Sequence, residues 1–194
     1  DPKNLKKNAT AKAGDVLVLG KPLGVGIYSA ALKKEKLDPS GYEQMIANTT
    51  KLNTPGKKLS EIAGVHAMTD VTGFGLLGHA LEICKGSNVQ GQINYPDLKI
   101  LPGVKDLAQQ GFITGASNRN WASYGSDVEL SKNLTPVDQA ILTDPQTSGG
   151  LLVACDRLAL DQVLKIFNEE GFADAQVIGS LAVKPINQAY LRVV

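Results

Sequence analysis

The chain has 194 residues, of which 43% are hydrophobic and 20% charged, with a formal net charge of +1. This composition is close to the average for globular domains and excludes collagen-like, disordered and coiled-coil chains. No apolar run approaches the roughly 18 residues of a membrane helix. The lysines near the amino terminus do not alternate with aromatic residues, so we expect neither a membrane segment nor a nucleic-acid partner.

The cysteine content indicates the cellular compartment. The chain has two cysteines, Cys84 and Cys155, and both lie within apolar segments. Such cysteines act as small core hydrophobes, and two are too few for the disulfide framework of a small secreted domain. We therefore expect a cytoplasmic protein.

The elements follow from the spacing of apolar residues and from turn residues. Residues 1–13 are polar and lysine-rich, which predicts a linker, and residues 14–194 form the domain. In chain order the domain contains a strand at 15–19, a helix to about 34, a helix at 41–53, a strand at 65–70, a helix at 74–84, a strand at 88–94, a long loop at 95–134 with a short helix near 103–110, a helix at 135–142, a strand at 151–155, a helix from 156 to 171, and strands near 176–182 and 188–194. This interleaving predicts a sheet covered by helices, of the α/β or α+β class.

The segment from Met68 to His79 is the first candidate site. A strand ends at Asp70 and passes through Gly73 and Gly75 into a helix. A carboxylate at that point offers a hard oxygen ligand for Mg²⁺ beside the amide groups that start a helix. The glycines allow a phosphate to approach closely. Spacing alone also fits an ordinary turn and cap.

The segment LTDPQTSGGLL at 142–152 is the second candidate. A helix ends, a polar turn with two glycines follows, and a buried strand begins. Spacing favours a loop whose polar side chains satisfy local backbone groups, and a loop that lines a cleft is the alternative.

Other polar residues carry weaker signals. His66 and His79 are the only histidines, too few for a histidine-rich metal site, so we expect structural or surface roles for them rather than catalytic ones. Trp121 and Tyr124 could stack on a base, although aromatic anchors of a loop are commoner. Lys21 follows a strand and precedes a glycine-rich turn, which fits a phosphate partner or a solvated lysine.

Four segments resemble motifs of the selenophosphate synthetase family. TDVTGFGLLGHALE (69–82) and LTDPQTSGGLL (142–152) are the most specific, and GDVLVLGKPLGVG (14–26) and the segment Asn118–Gly125 also match in order. The resemblance implies the carboxy-terminal domain of the AIR synthase type, an α+β fold with α/β/α layers and a mixed sheet. It also implies an enzyme that uses ATP, selenide and water, with Mg²⁺, to form selenophosphate.

The resemblance assigns specific residues. It places a metal-binding carboxylate at Asp70 and a nucleotide-binding loop at Thr72, Gly73 and Gly75. The family nucleophile, with a lysine a few residues on, belongs to an amino-terminal domain whose motifs this sequence lacks, so no catalytic residue is expected here.

The resemblance also bears on partners. We expect the amino-terminal domain as the partner, a homodimeric full-length enzyme, and an inactive fragment that is a monomer or weak dimer. A hydrogenase-maturation or purine-pathway relative, and a non-catalytic interaction module, are the alternatives.

Overall fold

The centre of the structure, a computed structural model that describes residues 4–194, is a mixed sheet of seven strands. The strands are β1 (Val16–Leu19), β2 (Val65–Asp70), β3 (Val89–Ile93), β4 (Val128–Leu130), β5 (Leu151–Cys155), β6 (Gln176–Val183) and β7 (Leu191–Val193). Their order in the sheet is β2-β5-β1-β6-β3-β7-β4. The pairs β2–β5, β5–β1, β1–β6 and β6–β3 are antiparallel, whereas β3–β7 and β7–β4 are parallel.

Strand β1 is buried on both faces and separates two hydrophobic cores. Successive side chains of a strand point to opposite faces. Leu17 and Leu19 therefore enter the larger core, whereas Val16 and Val18 enter the smaller one. A run of apolar residues without alternation, as in DVLVL, is what burial on both faces requires.

Helices cover both faces of the sheet. They are α1 (Val25–Leu32), α2 (Pro39–Thr50), α3 (Pro55–Ser60), α4 (Gly75–Ser87), α5 (Val104–Gln109), α6 (Gly115–Tyr124), α7 (Pro136–Leu142) and α8 (Leu160–Glu169). Helices α1, α4 and α7 bury their apolar residues in the larger core, and α3 and α8 pack on the smaller one. The predicted α+β fold with α/β/α layers is confirmed. Within residues 4–194 no helix is both long enough and apolar enough to cross a bilayer.

The prediction of a long loop at 95–134 is wrong for two stretches. This region contains α6 and β4, as well as the short helix α5 that was predicted. Helix α6 is capped by Thr114, whose Oγ1 accepts a hydrogen bond from the backbone N–H of Ser117 at 3.1 Å. Its buried residues are the polar Ser117 and Asn120, so it shows no apolar periodicity in the sequence.

The amino-terminal segment contacts the edge of the sheet. Of the predicted linker, residues 1–3 lie outside the described residues. Thr10 Oγ1 donates a hydrogen bond to the carbonyl of His66 at 2.6 Å, and Ala11 is buried. The described part of this segment therefore packs beside β2, which is an edge strand.

Candidate functional site

Two of the motif loops lie side by side at one end of the sheet. We call residues 70–75 the Asp70 loop and residues 143–150 the glycine-pair loop. Strands β2 and β5 are antiparallel, and Asp70 pairs with Leu151. The loop that leaves β2 and the loop that enters β5 therefore meet, and the backbone N–H of Gln146 donates to the carbonyl of Thr72 at 3.0 Å.

The turn between β1 and α1 joins the same cluster. The backbone N–H of Gly20 donates to the carbonyl of Leu151 at 2.9 Å. Further along the turn, the N–H groups of Gly24 and Val25 donate to Gln146 Oε1 at 3.2 and 3.3 Å. Three of the segments that carry the family resemblance therefore converge, which spacing along the chain could not show.

Two glycines are required by the contacts between these loops. A Cβ on Gly149 would overlap the carbonyl oxygen of Val71, and a Cβ on Gly75 would overlap the backbone of Thr143. Gly75 also has a φ of 69°, in the region that glycine adopts without strain. These positions need glycine so that one loop can lie against the other.

Two side chains of helix α6 donate hydrogen bonds to carbonyls of the Asp70 loop and the glycine-pair loop. Asn120 Nδ2 donates to the carbonyls of Gly73 at 2.9 Å and Thr143 at 3.0 Å. The hydroxyl of Tyr124 donates to the carbonyl of Phe74 at 2.7 Å. The segment Asn118–Gly125 is thus the fourth motif at this site, and Tyr124 anchors a loop rather than stacking on a base.

Asp70 itself is accessible. It is the last residue of β2 and is exposed. Among residues 4–194, no hydrogen bond or ion pair involves its carboxylate, and its carbonyl alone accepts a bond, from Thr69 Oγ1 at 3.4 Å. The lone pairs of this carboxylate are therefore available to an external cation.

The side chain of Thr72 is held by a chain of contacts through two residues of α4. Its Oγ1 lies 3.1 Å from His79 Nε2, and His79 Nδ1 lies 3.1 Å from Glu82 Oε2. His79 is buried, and both of its ring nitrogens are occupied. This arrangement gives His79 the structural role that was predicted for it.

The backbone N–H groups of the Asp70 loop differ in accessibility. Gly73 and Phe74 are exposed, and neither N–H has a hydrogen-bond acceptor within residues 4–194. The N–H of Gly75, by contrast, donates to the carbonyl of Thr72 at 3.1 Å, and Gly75 is buried. Gly75 therefore allows the close contact between the two loops, but its backbone N–H is not free to bind a ligand.

The glycine-pair loop contains a buried acid that sequence reasoning missed. Asp144 is fully buried, and its Oδ2 accepts bonds from the N–H groups of Gly26 at 2.9 Å and Ile27 at 3.3 Å. Its Oδ1 has no partner among the described residues. Burial raises the pKa of Asp144 to about 7, although these bonds and one from Gln146 act in the opposite direction.

Lys21 is buried and does not fit the role of a phosphate partner. Its Nζ donates to the carbonyls of Lys51 at 2.6 Å, Ser148 at 2.7 Å and Asn48 at 3.0 Å. Burial, with a smaller contribution from the charge of Lys51, lowers the pKa of Lys21 to about 8. Its three donors are taken, so it ties the glycine-pair loop to α2 and is not the solvated lysine of the alternative prediction.

The remaining candidates for chemistry are inert or incomplete. Both cysteines are buried, and burial raises the pKa of Cys84 to about 12 and that of Cys155 to about 11. A neutral buried thiol is a poor nucleophile. Within residues 4–194 no group of three His, Cys, Asp or Glu residues could hold a metal.

Several solved structures have the same fold. A solved structure of E. coli HypE, a hydrogenase maturation protein, matches with a TM-score of 0.68 and 20% identity. The match covers 97% of this chain and 48% of the HypE chain. A thiamine-monophosphate kinase from Stenotrophomonas maltophilia matches with a TM-score of 0.63 and 18% identity. The match covers 97% of this chain and 52% of the kinase chain. A further structure, a HypE in complex with ATP, has a TM-score of 0.65 and 16% identity, covering 97% of this chain and 50% of its own.

Sequence comparison gives the family. Residues 12–191 match AIR synthase related protein, C-terminal domain, and the chain belongs to this family. The selenide, water dikinase of Pseudomonas straminea is 60% identical over 181 residues, which are 93% of this chain and 51% of that protein. That of Rhizobium meliloti is 48% identical over 181 residues, or 93% of this chain and 52% of that protein. The chain thus spans about half the length of the curated relatives that it matches.

Proposed function

We propose that this chain is the carboxy-terminal domain of a selenide, water dikinase. That enzyme would convert ATP, selenide and water into selenophosphate, AMP and orthophosphate. The observation that carries the proposal is the 60% identity over 93% of the chain, against 20% for HypE, which shares the fold. The difference favours a selenide, water dikinase over the hydrogenase-maturation alternative.

Asp70 is the proposed ligand for Mg²⁺. Its exposed and unpaired carboxylate at the end of β2 is the hard oxygen donor that this cation prefers. Because Mg²⁺ takes a near-octahedral set of oxygen ligands, water, ATP phosphates and the other half of the enzyme would supply the rest. Bound there, the cation would neutralise charge on the phosphate oxygens.

The loop after Asp70 is the proposed contact to ATP phosphates. The free N–H groups of Gly73 and Phe74 are donors of the kind that bind phosphate near a helix N-terminus. Thr72 and Gly75 would shape this loop, Thr72 through its bond to His79 and Gly75 by its close approach to Thr143. A phosphate could approach Gly73 closely because nothing lies within 4 Å of the position that its Cβ would occupy.

The principal partner in this proposal is the amino-terminal half of the same enzyme. It would carry the nucleophile and the remaining metal ligands, so the domain alone would be inactive. We propose that the full-length enzyme is a homodimer and the isolated domain a monomer or weak dimer, which light scattering at low micromolar concentration tests. The two buried, free cysteines agree with a cytoplasmic enzyme.

The proposal is tested in the full-length enzyme that contains this domain. Asp70→Asn keeps the size of the side chain and removes its charge, so selenophosphate formation, followed by ³¹P NMR, should fall at least about a hundredfold. Asp161→Asn, at an exposed aspartate of α8, is the control and should retain full activity. Wild-type enzyme that forms no selenophosphate would contradict the assigned reaction, and an active Asp70→Asn variant would contradict the role of Asp70.

A further inference from the structure

The amino-terminal segment lies along β2, an edge strand of the sheet. We call residues 4–13 the strap. The carbonyl of Lys7 accepts a hydrogen bond from the backbone N–H of Met68 at 3.3 Å, and Thr10 Oγ1 donates to the carbonyl of His66 at 2.6 Å. The strap therefore occupies backbone groups that an edge strand would otherwise present to solvent.

The ring of His66 lies between an acid and a lysine of the strap. His66 Nδ1 is 2.8 Å from Asp15 Oδ1, and His66 Nε2 is 3.1 Å from Lys12 Nζ. The side chain of Asp15 is 3% exposed and that of His66 is 12% exposed. Asp15 Oδ2 also accepts a hydrogen bond from the backbone N–H of Lys12 at 2.8 Å. The acid, the ring and the end of the strap therefore form one cluster.

The two ring contacts fix where the proton of a neutral imidazole lies. An ammonium group has three donors and no acceptor, so Nε2 can bind Lys12 only as the acceptor. The single ring proton then lies on Nδ1, which donates to the carboxylate of Asp15. Both contacts of His66 are hydrogen bonds only while the imidazole is neutral.

A second proton on His66 removes one of these two bonds. It can bind only at Nε2, the atom that accepts from Lys12, so the ring then presents an N–H and a positive charge to an ammonium. Lys12 is exposed, and its side chain can turn into the water. The bond to Asp15 persists between opposite charges. Protonation therefore breaks the contact with the strap and keeps the contact with the acid.

Few other titratable groups surround the ring. Among residues 4–194, Lys12 and Asp15 are the only groups that form a hydrogen bond or an ion pair with it. On the neighbouring strand β5, Cys155 lies opposite the residue before His66. Burial, with smaller contributions from Asp15 and Asp156, raises the pKa of Cys155 to about 11, so its thiol is neutral. Lys12 and Asp15 therefore determine how the strap responds to the charge of the ring.

We propose that His66 is a pH-sensitive latch, which ties the strap to β2 while its ring is neutral and loosens the strap when its ring is protonated. Histidine ordinarily changes its charge between pH 5 and 8, so the strap is held above this range and is looser below it. The latch does not depend on the proposed reaction. In the proposed enzyme the strap would join this domain to the amino-terminal half, and protonation would loosen that connection.

The protonation state of the ring is tested by ¹⁵N NMR on the 194-residue chain. At pH 8 we expect the proton of His66 on Nδ1, with Nε2 unprotonated. His66→Gln assigns the signals, because His79 is the only other histidine. A proton on Nε2 at pH 8 would overturn the latch, since Lys12 would then have no acceptor.

Hydrogen exchange measures the attachment of the strap. The reporter is the backbone N–H of Ala11, which donates to Ser87 Oγ at 2.9 Å. After correction for the intrinsic exchange rate at each pH, its protection should fall about fivefold from pH 8 to pH 5, the equilibrium effect of one ordinary hydrogen bond. Lys12→Met removes the ammonium and should give the same protection at both pH values. Lys7→Met should behave as wild type, because Lys7 binds β2 through its carbonyl.

The comparison of the two lysine variants separates the latch from other effects of pH. Asp144 also titrates in this range, but both variants retain it, so its effect on stability is common to them. Unchanged protection of Ala11 in the wild type, or an equal loss in Lys12→Met and Lys7→Met, would overturn the latch. Neither measurement uses selenophosphate formation, so a failure of the proposed function would leave the latch in place.

Discussion

Asp144 Oδ2 accepts a hydrogen bond from the backbone N–H of Gly26, 118 residues earlier in the chain, at 2.9 Å. The first residues of α1 have no side-chain cap of their own, because the N-cap residue is Gly24. Asp144 therefore caps α1 from a different element, and it does so from a fully buried position. Its second oxygen, Oδ1, has no partner within residues 4–194.

The burial of Asp144 makes folding depend on pH. An ordinary aspartate has a pKa near 3.9, whereas burial raises that of Asp144 to about 7 in the folded state. Between about pH 4 and 7 the folded state therefore binds a proton that the unfolded state has lost. This contribution to stability is fully present below about pH 4 and is lost as the pH rises to 7, with a slope of at most about 1.4 kcal/mol per pH unit.

Asp144→Asn should remove that dependence. Asparagine resembles the protonated acid and does not titrate, so its advantage over the wild type should grow from pH 4 to 7 and then remain constant. Urea unfolding of both proteins at half-unit pH steps measures the difference in the free energy of unfolding. Asp161→Asn, at an exposed site, is the control, and a constant difference between Asp144→Asn and wild type would contradict the shifted pKa.

Gly149→Ala should destabilise the contact between the two loops. The new Cβ would overlap the Val71 carbonyl oxygen, a backbone atom that cannot move without disturbing the end of β2. Overpacking of this kind costs about 1–3 kcal/mol. Gly73→Ala is the matched control, because nothing lies within 4 Å of its Cβ position, and its free energy of unfolding should stay within about 0.5 kcal/mol of wild type. Equal unfolding midpoints for the two variants would contradict the close approach.

The sequence predicted the elements whose signal is local. The buried strands at 15–19 and 151–155 and the helix that starts at Thr135 are present. Thr135 and Asp138 form a capping box, in agreement with the acid predicted in the first turn. These features depend on neighbours within a few residues, so the local pattern of apolar and capping residues predicts them.

The features that depend on distant residues could not be predicted from the sequence. Helix α6 buries Ser117 and Asn120 against carbonyls of two other loops, so no apolar stripe marks it. Asp144 and Lys21 resemble ordinary loop residues in the sequence, yet both are buried because β1, β2 and β5 are neighbours in the sheet. Only the strand order brings their partners together.

Lys21→Met should destabilise the domain more than a surface lysine does. The substitution keeps an unbranched side chain of similar length and removes the ammonium that three carbonyls share. Leaving three carbonyls without their donor around a buried side chain should cost about 2–4 kcal/mol. Lys34→Met, at an exposed position, should change the free energy of unfolding by less than about 0.5 kcal/mol. A similar small effect at both positions would show that water replaces the Lys21 ammonium.

Asp70→Asn, in contrast, should leave the stability of this chain unchanged. When an aspartate caps a helix or closes a turn, removing its hydrogen bonds lowers the free energy of unfolding by about 0.5–2 kcal/mol. Asp70 has no such bond from its carboxylate within residues 4–194, and α4 begins at Gly75 with Phe74 as its N-cap residue. Because its side chain is also exposed, the fold does not require an acid at this position.

Urea unfolding of the 194-residue chain checks this last prediction. We expect Asp70→Asn to lie within about 0.5 kcal/mol of wild type, as substitutions at exposed sites usually do. Asp138→Asn is the positive control, because Asp138 accepts bonds from the N–H and the hydroxyl of Thr135 and should lose about 0.5–2 kcal/mol. A loss at Asp70 as large as that at Asp138 would assign Asp70 to the fold. An unchanged stability, together with the loss of selenophosphate formation in the full-length enzyme, would assign its charge to the metal.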